Sequence, residues 1–138
     1  MEILDKAVQK TNIWIKDAGA ELKWRDPRKA CTALRAVLHA LRDRVTVEEV
    51  VQLGAQLPTF IRGIYYEGWT LKRKPLRDQN KYGFLSAIEK AFGRENALNV
   101  DTVHVARSIF RLLNQKISQG EIDDIRAVLP RPIGEFWP

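Results

Sequence analysis

The sequence predicts an all-α domain, and three observations predict it. Apolar residues recur at helical spacing, cap and proline signals punctuate them, and the chain resembles itself at an offset of 72 residues. Period-two alternation, the mark of a half-buried strand, has little support.

The first helix carries Leu4, Ala7, Val8, Thr11, Trp14, Ile15, Ala18 and Leu22 on one stripe, with Ile13 on the opposite, polar side. That stripe is expected to face the core. Gly19 lies inside this helix where a large apolar residue would be expected to help the core. Asp26-Pro27 then supplies a cap and a first-turn proline for a second helix, whose inward face is Ala30, Leu34, Val37, Leu38, Leu41 and Val45. Thr46-x-x-Glu49 is a capping box. The hydroxyl accepts from the third amide and the carboxylate is expected to reach back to the cap's own N–H, which opens a third helix. Leu57-Pro58 ends that helix, because the residue before a proline is pushed out of the helical region, and a short fourth element follows at about 59–66.

The same plan returns. Ala33 to Leu41 aligns with Val105 to Leu113, Thr46-x-x-Glu49 with Ser118-x-x-Glu121, Leu57-Pro58 with Leu129-Pro130, and Tyr65 with Trp137, with no gap from residue 33 to residue 65. At an offset of 70, Trp14 to Leu22 falls on Phe84 to Phe92. The reading is an internal duplication: a compact helical bundle of two repeated units, each of about three helices plus a short terminal helix, with approximate two-fold symmetry. Residues 1–138 form a single domain, with a first unit at 3–66, a basic linker at 67–80 and a second unit at 81–137. One unit has too few apolar positions to close a core alone.

Composition excludes several classes. At 45% apolar and 29% charged residues the chain is neither disordered nor membrane-embedded, and no apolar run approaches the length of a span. Its start, Met1-Glu2-Ile3-Leu4-Asp5, lacks the layout of a secretion signal, so the cytoplasm is the expected compartment. The lone Cys31 offers no disulfide, and on the edge of an apolar face it reads as an inert thiol.

No catalytic motif emerges, and the expectation is a protein without an enzymatic reaction, a cofactor or a metal. There is no Cys-x-x-Cys, glycine-rich phosphate loop or nucleophile elbow, and only His39 and His104 are present. Asp101-x-x-His104 lacks the second pair that a di-iron bundle needs, and Asp101 reads as a helix cap. Glu48-Glu49 and Asp123-Asp124 lie in first turns, where carboxylates favour the helix dipole.

Two candidate binding surfaces remain. The net charge of +6 is concentrated: residues 72–81 carry +4 of it, in a run Lys72-Arg73-Lys74-Pro75-Leu76-Arg77 that proline keeps extended. Tyr65-Tyr66-Glu67-Gly68-Trp69 precedes that run, so rings and cations interleave as in single-strand binders. The plain alternative is a solvated linker that Trp69 pins to the core. On the second helix Arg28, Thr32, Arg35, His39 and Arg42 line up on one polar stripe that could grip phosphates, or simply be a solvated face paired with acids.

Val8-Gln9-Lys10-Thr11-Asn12 with Trp14, Leu34 to Arg44, Gly54-Ala55-Gln56-Leu57-Pro58, Arg62 to Trp69 and Arg126-Ala127-Val128-Leu129-Pro130 closely resemble the prokaryotic domain-of-unknown-function family 2267. The resemblance covers nearly the whole chain. It implies a small, cytoplasmic, all-helical stand-alone domain and brings no activity, ligand or catalytic residue with it. The expected role is a non-catalytic binding or scaffold protein acting through protein contacts; the alternative is a binder of nucleic acid or another polyanion. Salt dependence separates the two, since only the second loses affinity steeply with ionic strength.

Overall fold

A computed structural model describes residues 1–71, 80–93 and 100–138 of the chain. These residues are all-helical and contain no strand. Eight helices occur among them: α1 (Glu2–Leu22), α2 (Pro27–Arg42), α3 (Val47–Ala55), α4 (Thr59–Tyr66), α5 (Lys81–Ala91), α6 (Thr102–Lys116), α7 (Gln119–Val128) and α8 (Arg131–Gly134).

The helix starts lie where the caps place them. Asp26 accepts from the Arg28 N–H with Pro27 in the first turn of α2, Thr46 from Glu49 N–H, Asn80 from Tyr82 N–H, Asp101 from His104 N–H, and Ser118 from Glu121 N–H. Leu57 and Leu129, each before its proline, are buried. The second half of the capping boxes does not form at Ser118. Its N–H donates to Gln56 Oε1 at 2.9 Å while Gln56 Nε2 donates to Ser118 Oγ, so a side chain from the end of α3 caps α7 across the seam.

α2 and α6 are the central helices. α2 packs on α1, α4, α5 and α6, and α6 also packs on α1, α5 and α7. Val37, Leu38 and Leu41 of α2 and Ile109, Phe110 and Leu113 of α6 are fully buried. The C-terminal aromatics close one end: Trp137 stacks on Phe110 at 4.1 Å, Phe136 on Phe84 at 6.3 Å, and Trp137 Nε1 donates to Asn114 Oδ1. His104 Nε2 donates to the Leu22 carbonyl at 2.7 Å, and Glu21 meets Arg111, fastening the end of α1 to α6.

Gly19 has a packing reason. A Cβ there would lie 3.1 Å from the Trp24 carbonyl oxygen, because the chain folds back over the end of α1 with Lys23 in the left-handed region and Trp24 N–H bonded to Gly19 O.

The α1 stripe departs from expectation. Trp14, Ala18 and Leu22 are buried, but Leu4 and Val8 are 54% and 49% exposed, and Met1 and Ile3 are more so. Helical periodicity identifies a face; it does not say whether the body of the protein extends far enough to cover it.

Candidate functional site

The polar stripe of α2 is turned toward the end of α4. Arg42 is buried, its Nη1 donating to the Tyr65 and Glu67 carbonyls at 2.7 Å and its Nε to Asp43 Oδ1 at 2.9 Å. His39 Nε2 donates to the Ile64 carbonyl at 2.7 Å, and Arg35 pairs with the Glu67 carboxylate at 3.6 Å. His39 and Arg42 meet the last carbonyls of α4, where a helix exposes unpaired acceptors and partial negative charge. Burial lowers the His39 pKa from its ordinary value and Arg42 beside it adds to that, against the raising effect of the Ile64 carbonyl. A bonded, uncharged His39 and an enclosed Arg42 are not offered to phosphate. At the other end of the stripe Arg28 is exposed, and Thr32 Oγ1 bonds back to the Arg28 carbonyl. Arg62 serves α3 in the same way, bonding the carbonyls of Gly54, Ala55 and Leu57, and no spacing in the sequence announced it.

Tyr66, the last residue of α4, and Trp69, just beyond it, lie together. Tyr66 stands T-shaped to Tyr65 at 4.9 Å and tilted to Trp69 at 5.6 Å. Its ring sits over Gly54, where a Cβ would come within 2.2 Å of Tyr66 Oη; glycine is what admits the ring. Trp69 is half-buried against the core, the geometry of a pin. Lys72, Arg73 and Lys74 lie outside the described residues.

The structure joins two glutamates that the sequence kept apart. α3 and α7 pack together, and Glu49 and Glu121, each in the first turn of its helix, face one another with Asp124, their carboxylate oxygens all within 4.8 Å. Glu49 and Glu121 are each only 6% exposed; their carboxyls hydrogen-bond to one another, and one further oxygen of each is buried without a partner among the described residues. Burial, then the neighbouring Glu49 carboxyl and Asp124, pushes the Glu121 pKa up to about 8. Above them Tyr65 Oη donates to the Val50 carbonyl at 2.8 Å, and burial raises its pKa well above the phenolic range. The offset of 72 residues equates Glu49 with Glu121, the one sequence signal that could have paired them. Sequence reasoning stopped at capping, which accounts for the glutamates' backbones and not for their carboxylates.

The exposed start of α1 and its cap present Met1, Leu4 and Val8 at heptad spacing in continuity with Ile15, Ala18 and Leu22, which enter the domain. Beside that row a groove lies between Ala7, Lys10 and Trp14 of α1 and Pro58, Thr59 and Arg62 at the start of α4.

No helix among the described residues is long and apolar enough to cross a membrane. A family model described as "Uncharacterized conserved protein (DUF2267)" matches residues 11–136. No curated protein matches the chain.

Proposed function

Because the chain belongs to the DUF2267 family of uncharacterized conserved proteins, its role must be argued from its own surface, and we propose that it is a non-catalytic helical binding protein of the cytoplasm that acts through protein contacts. The observation that carries this reading is the apolar row at the start of α1. A helix normally buries such a row against its own domain. Here the inner half of the stripe does so, while Leu4 and Val8 leave the body and stay exposed. An exposed apolar row on a helix suits a partner helix that covers it, with burial of apolar surface as the driving force.

Full-length protein and a Leu4→Gln/Val8→Gln variant, used as baits in a native cytoplasmic extract with and without nuclease, test the proposal. The wild type should retain a protein that the variant loses, nuclease should make no difference, and both baits should melt together because the exchanged side chains are exposed. Capture that survives the double exchange but falls with nuclease and with salt would favour the polyanion reading, in which Lys72, Arg73 and Lys74 attract phosphates.

A further inference from the structure

We propose that Glu49, Glu121 and Asp124 form a binding site for a divalent cation that prefers oxygen ligands, of the magnesium, manganese or calcium kind, in the seam between α3 and α7. An acidic grouping alone would say little, since carboxylates commonly gather at helix starts. What points to a cation is the state of the buried pair. Glu49 and Glu121 are more than nine-tenths buried, their carboxyl groups meet one another, and one oxygen of each finds no N–H, hydroxyl or cation among the described residues. A buried carboxylate is normally satisfied by an N–H, an O–H or a positive charge.

Two local donors are engaged elsewhere. The Ser118 N–H, which a reciprocal box would have given to Glu121, is held by Gln56, and the Tyr65 hydroxyl proton is given to the Val50 carbonyl. Asp124 is exposed and brings a third carboxylate to within 4.8 Å of the others, so the grouping opens to water on its side. Three carboxylates at that spacing, with water completing the shell, suit a hard cation; the absence of sulfur or imidazole among them disfavours softer metals. The ion would replace missing donors and bridge two helices, one from each half of the chain.

Manganese(II) is the probe: titrated into chelator-treated full-length protein, it is followed by calorimetry, by loss of the free-ion electron paramagnetic resonance signal and by melting temperature. The expected result is saturable binding of one ion per chain with a rise in melting temperature. Glu121→Gln should weaken binding by roughly 10–100-fold or more. Asp124→Asn, an exposed exchange that leaves the core intact, should also weaken it, whereas Glu48→Gln and Asp123→Asn, neighbouring exposed carboxylates, should not. Absence of saturable binding at millimolar manganese would overturn the site and leave a pair of carboxyls sharing a proton. Equal weakening by all four exchanges would overturn it too, as diffuse attraction to an acidic surface.

Discussion

At the scale of the residue, the same side-chain type does different work according to what surrounds it. Leu4 and Leu22 share one stripe, yet one is 54% exposed and the other 1%. Arg28 is exposed, whereas Arg42, on the same polar stripe, is enclosed and bonded to backbone carbonyls. His39 allows a prediction with a definite sign. Its pKa in the folded protein lies below the ordinary 6.5, so below that pH the unfolded chain binds more protons than the folded one. Stability should therefore be lost as pH falls from 6.5 through the folded value, and His39→Gln should flatten this part of the profile. Glu121 acts in the opposite sense: raised to about 8, it makes the fold gain stability as pH falls from there toward the ordinary carboxylate range. The difference between wild type and His39→Gln in denaturation midpoints at several pH values isolates the histidine; identical slopes would refute its assignment as a half-buried neutral donor.

Caps and stops govern the elements. Every helix whose start the sequence marked with Asp26, Thr46, Asp101 or Ser118 begins there, because a side-chain oxygen facing a free amide is a local interaction that needs no distant partner. The prolines at 58 and 130 end the third helix and its counterpart by equally local sterics. Leu57 is 1% exposed, so the turn it occupies is part of the core. Leu57→Ala should cost about 2–5 kcal/mol, read as a lowered denaturation midpoint, while an unchanged midpoint would make that turn a surface feature. What the caps could not tell was where the remaining atoms of the boxes go. Gln56 takes the Ser118 amide from across the seam, which depends on the approach of α3 to α7 and on nothing adjacent in the chain.

For the whole molecule, the two central helices come from opposite halves of the chain and are buried against each other. α2 packs on α5 and α6, and α1 packs on α6, so residues of the first half complete the environment of the second. The internal duplication inferred from the 72-residue offset leads to the same expectation, since each unit would need the other to close its core. A fragment ending at residue 70 should accordingly lack a cooperative thermal transition and disperse poorly in proton NMR, whereas the full chain shows both. Independent folding of that fragment would count against a core shared between the halves.

Sequence alone determined the all-helical class, the positions of the caps, the proline stops and the identity of most core residues. Each depends on periodicity or on contacts within a few residues, which a linear pattern records. Tertiary structure alone decided three other matters. It left Leu4 and Val8 uncovered, because how far a helix outruns its domain depends on what the other helices reach. It turned His39, Arg35 and Arg42 from a candidate phosphate stripe toward the end of α4, because unpaired carbonyls were brought opposite His39 and Arg42 and the Glu67 carboxylate opposite Arg35. It also set Glu49 against Glu121, 72 positions away, because a meeting of two helix starts follows from packing, and packing is decided by the whole set of apolar faces that must be buried at once.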